Sequence, residues 1–215
     1  MNLHSLLAAP EGQEEKQNKI QGVVIGVVTN NEDPEGMGRV KVKFPWLSDE
    51  DESNWARVAS PMAGKERGMY FLPEVDDEVL VAFEHGDMRF PYIIGSLWNG
   101  TEPPPASNDD GQNNVRMIKS RSGHVISLTD EDGKEKIEII DKSEANTIVI
   151  DTSKNTITVT ADKDIILSAP QGTVTFDGKN IEIKASADIK VEAGGKMDVT
   201  AGAAMKIKGA TVDIN

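Results

Sequence analysis

The sequence predicts an all-β chain in two parts, a small N-terminal barrel followed by an intertwined trimeric triple-stranded β-helix, a β-prism needle. Three observations carry that expectation. Short apolar–polar alternations separated by glycine-rich turns fill the first half. A stretch over residues 99–114, NGTEPPPASNDDGQNN, has the chemistry of a linker or turn. Beyond it, apolar pairs one residue apart recur at intervals of about eight residues.

The elements follow in chain order. Residues 1–19 form an N-terminal extension and residues 20–99 the barrel. Residues 23–29 read as a strand, and residues 30–38 as a loop rich in Asn, Asp, Pro and Gly. Val40, Val42 and Phe44 alternate with Arg39, Lys41 and Lys43, giving one apolar face. Residues 79–83 and 92–97 add strands around the turn Glu84-His85-Gly86-Asp87, where Gly86 suits a positive φ. Five or six such strands fit a small barrel. All three Trp, both Tyr and most of the Phe lie before the 100–114 linker.

Residues 115–215 are the expected needle. The apolar pairs are Ile157/Val159, Ile165/Leu167, Val174/Phe176, Ile181/Ile183, Ile189/Val191, Met197/Val199, Met205/Ile207 and Val212/Ile214. From Ile181 to Met205 the step is eight residues, with one-residue slips near Val174 and Val212. Small or turn residues separate the pairs, so each unit is a short strand and a tight corner. A single-chain β-solenoid needs on the order of 20 residues per coil, so an octad supplies only one wall. Three walls are the fewest that enclose a volume, and the other two come from other chains. The pairs from Ile157 to Ile207 are thus expected to line the core of an obligate homotrimer. Burying each such side chain contributes roughly 1.5–3 kcal/mol. Met197 and Met205 fill irregular gaps in it. About ten strands per chain at ~4.8 Å spacing give a rod on the order of 45–50 Å long. Outward residues Glu182, Lys190, Asp198 and Lys206 alternate in sign, an arrangement suited to fixing strand register.

Composition excludes several functions. The chain has 215 residues, a formal net charge of −13 and no cysteine. Disulfides and cysteine metal sites are ruled out, and the acidic balance opposes phosphate-backbone binding. No apolar run approaches the roughly 18 residues that span a bilayer, and the start lacks the pattern of a secretory signal. Synthesis in the cytoplasm and later assembly into a particle are expected. His4, His85 and His124 share no ligand spacing, and His124 suits a turn at the base of the needle. The carboxylate run from Asp49 to Glu52 reads as a solvated loop, and Asp130-Glu131-Asp132-Gly133 departs from the EF-hand pattern. No P-loop and no nucleophile–base motif occurs. No catalytic residue, metal or cofactor is expected.

Two long stretches carry a family resemblance: GVVTNNEDPEGMGRVKVKFPW, and NWARVASPMAGKERGMYFLPEVDDEVLVAFEHGDMRFPYIIGSLWN. Residues 20–99 resemble the OB-fold domain of phage baseplate assembly protein V and of VgrG proteins. Residues 115–141, VRMIKSRSGHVISLTDEDGKEKIEIID, look like the start of the VgrG needle. The resemblance implies the central spike of a contractile injection machine, with an OB collar toward the baseplate and membranes met only by mechanical puncture. VgrG proteins begin with a large hub module, so a separate hub protein is expected to supply it. Val212, Asp213, Ile214 and Asn215 are expected to receive a PAAR-like tip protein by strand addition. Two rivals from other classes stay open. A nucleic-acid-binding OB module on a stalk would bind single strands at micromolar concentration. A polysaccharide-directed β-solenoid adhesin or enzyme would sediment as one chain.

Overall fold

The computed structural model describes residues 19–47 and 51–213, which are all-β apart from one 3-10 turn. The chain divides into two compact units, one up to Thr160 and one from Ala161 onward.

The first unit opens with β1 (Val23–Asn30), β2 (Arg39–Lys43) and β3 (Ala56–Val58). A small hairpin follows, β4 (Ala63–Gly64) with β5 (Arg67–Gly68). Then come β6 (Glu78–Phe83) and β7 (Pro91–Ser96). All but the hairpin strands close a barrel in the order β1-β2-β3-β7-β6, and only the β3–β7 contact is parallel. That closed five-strand order is the OB arrangement. Alternation dictates the inside: Val40 and Val42 on β2, and Val79, Val81 and Phe83 on β6, are buried while their neighbours are not. Val28, Phe44, Ala56 and Ile93 complete the core, with the Phe44 and Phe83 rings 5.7 Å apart.

Two local devices close the barrel. β1 pairs β6 along Val23–Val27 and β2 from Val27 to Asn30, with a register shift between Val28 and Asn30. A strand shared this way must curve. Gly26 sits in the bend, and a Cβ there would lie 3.2 Å from Val81 Cγ2 and 3.3 Å from Val42 Cβ. Between β1 and β2, Asp33 organises the loop. Its carboxylate accepts from the amides of Glu35, Met37 and Arg39, and from Arg39 Nε and Nη2 at 2.9 and 2.7 Å. This bidentate Arg39 pair holds the Asp33 carboxyl far below its ordinary range. Gly86 has φ +79°, as the turn sequence requires, and His85 before it has φ 51°.

After the linker comes a five-stranded antiparallel meander: β8 (Val115–Lys119), β9 (Val125–Thr129), β10 (Lys136–Ile140), β11 (Thr147–Asp151) and β12 (Thr156–Thr160). Aspartates build its last two turns. Asp141 accepts from Ser143 Oγ and Asn146 Nδ2, and Asp151 from Ser153 Oγ, the Lys154 amide and Lys154 Nζ. These partners lower both carboxyls to about 2.

Candidate assembly surface

Strand register decides which residues of the meander share a face. Ile118 pairs Ile126, Ile126 pairs Ile139, Ile139 pairs Ile148 and Ile148 pairs Val159, a row across all five strands. Two residues along, a second row runs Arg116, Leu128, Ile137, Ile150 and Ile157. Residues two apart on a strand point the same way, so nine aliphatic side chains occupy one face. All nine are exposed, from 39% at Ile150 to 72% at Ile157. The opposite face mixes Ser127, Thr129, Lys136, Glu138 and Asp151 with Val125, Ile140 and Val149, none of them exposed. The apolar rows are thus more exposed than the mixed face behind β9 to β11, and a concavity of about 470 Å³ lies against the first row. An apolar face this large marks a contact surface.

Ile157 and Val159 are the expected core residues that the meander brings together. The other residues expected in a trimer core are seen here in a single chain. Ile165, Leu167, Val174, Phe176, Ile181, Ile183, Ile189, Val191, Met197, Val199, Met205 and Ile207 are all exposed and form no core of their own. The second member of each pair is the more open one, with Leu167 at 64%, Phe176 at 67%, Ile183 at 74% and Val191 at 71%. The physical reason is that one run is a single wall with nothing facing it. A side chain loses its water only against a second surface, and the chain does not fold back to supply one.

No strand is assigned among the described residues beyond Thr160. There bends recur at 162–163, 170–172, 178–179, 186–187, 194–195, 202–203 and 210, with short runs between them. Every described residue from 162 to 213 is exposed. Each apolar pair begins two residues after its corner ends: Ile165 after 163, Val174 after 172, Ile181 after 179, and so on to Val212 after 210. The slips in the octad spacing reside in two corners and in the run 173–177, which is one residue shorter than the others. The corner at 170–172 holds three residues and that at 210 holds one, while the runs keep a constant phase. The outward charges pair along the runs, Glu182 with Lys184 at 2.7 Å, Lys190 with Glu192 at 2.7 Å and Lys196 with Asp198 at 2.9 Å. Val212 and Asp213 are exposed, and Ile214 and Asn215 lie outside the described residues.

Ile118, Ile126, Leu128, Ile137, Ile139, Ile148 and Ile150 are not among the expected core residues. The signal is present, since Ile126/Leu128, Ile137/Ile139 and Ile148/Ile150 are also apolar pairs one residue apart. Their spacing of 11 residues, set by the longer aspartate turns, hides them from a search for octads.

The remaining candidates have structural partners. His124 Nδ1 accepts from the Lys142 amide at 3.2 Å, and its own amide donates to Ser120 Oγ, tying two turns of the meander. Glu52 pairs with Lys41 at 3.0 Å, Asp130 with Arg116 and Glu131 with Lys134. His4, Asp49 and Glu50 lie outside the described residues. Among the described residues no group of three or more His, Asp or Glu is placed to hold a metal ion. No helix among them is long and apolar enough to cross a membrane. A cleft of about 690 Å³ beside the β4–β5 hairpin is lined by Met37, Met62, Met69, Tyr70 and Phe71. Its Ser60 hydroxyl bonds the Met69 carbonyl at 2.7 Å.

Residues 24–98 match the type VI secretion system/phage-baseplate injector OB domain family. The chain is 34% identical over 131 residues to the type VI secretion system spike protein VgrG3 of Vibrio cholerae, covering 55% of this chain and 13% of that protein. It is 31% identical over 131 residues to the actin cross-linking toxin VgrG1 of Vibrio cholerae, covering 55% and 12%. To the spike protein VgrG1a of Pseudomonas aeruginosa it is 32% identical over 128 residues, covering 54% and 20%. The match thus spans between 12% and 20% of the length of these curated relatives. Residues 24–98 thus combine a closed OB barrel with a match to the injector OB domain family, and the chain is similar over about half its length to VgrG spike proteins.

Proposed function

We propose that the chain is the trimeric central spike of a contractile injection machine, a structural part that transmits axial force and catalyses nothing. One observation carries this reading: the apolar face of the meander, and the octad runs that follow it in sequence, present Ile, Val and Met side chains that find no cover within their own chain. A lone extended ribbon with such side chains in water is marginal at best. Three copies around an axis bury both the meander face and the runs, and pair each run's backbone with its neighbours. The walls that Leu167, Phe176, Ile183 and Val191 lack are then supplied by the other two chains. Moving a half-exposed aliphatic residue to full burial adds on the order of 1 kcal/mol. The OB barrel forms the collar, and residues 115–215 form the needle as a triple-stranded β-helix. A hub protein at the collar and a PAAR-like tip protein at Val212 and Asp213 complete this reading, both carried over from the resemblance to known spikes.

The test is mass. Light scattering of the purified chain should give three times the 23.3 kDa chain mass, falling to a single chain in strong denaturant. A single-chain mass under native conditions refutes the proposal.

A further inference from the structure

We propose that the outward charges of the octads form a checkerboard that sets the three chains one octad out of step, each run lying against the following run of a neighbouring chain. The proposal rests on the trimeric reading above and adds what selects its register. The ion pairs Glu182–Lys184, Lys190–Glu192 and Lys196–Asp198 put these side chains on the side away from the apolar pairs. Since every run starts at the same phase after its corner, positions align from run to run.

The central outward position then reads Glu182, Lys190, Asp198, Lys206 and Asp213, reversing sign at every step. The position after each pair reads Asp177, Lys184 and Glu192, reversing again. The position before each pair gives Asp188 and then Lys196. Wherever both of two successive runs carry a charge at the same outward position, the signs are opposite. The runs at 182–184, 188–192 and 196–198 also alternate along their own length, while the run at 206–208 carries two lysines.

This pattern distinguishes the possible offsets between chains. Parallel strands about 4.8 Å apart bring equivalent positions side by side. With no offset, Glu182 meets Glu182 and Lys190 meets Lys190. With an offset of two octads, Glu182 meets Asp198 and Lys190 meets Lys206. Odd offsets set opposite charges together at the central position, and one octad is the smallest of them. It is also the offset a three-fold winding produces when each chain passes to the next wall at each corner. Exposed pairs add little stability. Like charges side by side penalise the wrong register, and the zero-offset stack is the arrangement that propagates into fibrils.

The experiment uses the full chain, whose lack of cysteine makes introduced thiols unambiguous. Ile166 and Thr175 hold the uncharged central positions of two successive runs. The double variant Ile166→Cys/Thr175→Cys, treated with a short thiol-to-thiol cross-linker, should run as a covalent trimer on a denaturing gel. Each single variant should run as a monomer. In the double background, inverting one run (Asp188→Lys, Lys190→Glu, Glu192→Lys) keeps its internal pairs but opposes both neighbouring runs, and should abolish the trimer band. Inverting every outward charge of the checkerboard should restore it. Dimers from the single variants, or a trimer band that survives the one-run inversion, overturn the proposal. The native mass is measured alongside. A monomeric mass removes the trimeric reading and this inference together, whereas a trimeric mass with the wrong cross-links removes this inference alone.

Discussion

Ile126 and Ser127 are consecutive residues of β9 with burial the reverse of their polarity: the serine is 7% exposed and the isoleucine 46%. In β10 and β11 Ile137, Ile139, Ile148 and Ile150 likewise face out, while Glu138, Ile140, Val149 and Asp151 are less exposed. The consequence is tested by Ile139→Asp and Ile189→Asp. For a solitary chain both sites are surface positions, where a substitution shifts stability by only about 0.5 kcal/mol. For three chains around an axis, each change buries three like charges without partners, at a cost of several kcal/mol per charge. Loss of trimer mass with the barrel still folded is the expected outcome of size-exclusion and circular dichroism measurements. Unaltered trimer would remove these side chains from the interior.

The barrel is tested separately at Gly26. A Cβ there approaches Val81, Val42 and the Lys43 carbonyl at 3.2 to 3.4 Å, and the first two neighbours belong to the packed core. Gly26→Val adds two methyl groups beyond that Cβ, so the strain typical of overpacking, about 1–3 kcal/mol, is expected. Thermal melting of the variant should show that loss. A melting temperature equal to the parent's would mean that β1 does not bend as closely as described.

Much of this architecture is legible in the sequence because the chain uses strict period-two alternation. Val40/Val42 and Val79/Val81 announce inward faces, and the turn around Gly86 announces its own φ. The contribution of Asp33 is not legible. Its five hydrogen bonds depend on the loop folding back on itself, and nothing in NNEDPEGMGR singles it out from the neighbouring acids. The meander face escapes for a different reason. Hairpin turns built on Asp141 and Asp151 stretch the repeat from eight residues to as many as 11, so a fixed period loses it while the apolar pair persists. The pair, rather than the period, is the physical unit, since it is what a wall presents to the axis.

Those turn aspartates give the meander a defined acid limit. Asp141 and Asp151 titrate at about 2 in the folded chain against an ordinary 3.8, because hydroxyl, amide and Lys154 donors favour the ionised form. A carboxyl whose folded value is depressed adds stability that is complete above its unfolded value and disappears as pH falls through the folded one. Hydrogen exchange across β10–β12 should therefore stay slow from neutral pH to about 4 and accelerate as pH approaches about 2. Asp141→Ala removes one such turn, and exchange in β10 and β11 should then be faster at neutral pH and lose part of its acid dependence. A meander that opens near pH 5 would contradict the hydrogen bonding at both turns.

The corners make the last prediction, because two of the irregular octad steps fall in them. One corner holds three residues and another one, yet each apolar pair starts two residues later. An extra residue placed in a corner, such as an alanine between Gly194 and Gly195, only changes the length of a bend that already varies along the chain. The same alanine between Met197 and Asp198 shifts the rest of that run by one position. Val199 then points outward and the charge of Asp198 inward, since one residue reverses the face of every side chain that follows in a strand. Three copies of that inward carboxylate would lie at the axis. The corner insertion should keep the trimer mass and nearly all of the melting temperature, while the run insertion should lose the trimer. Equal effects from the two insertions would show that the corners carry no slack and that the eight-residue spacing itself is what the assembly requires.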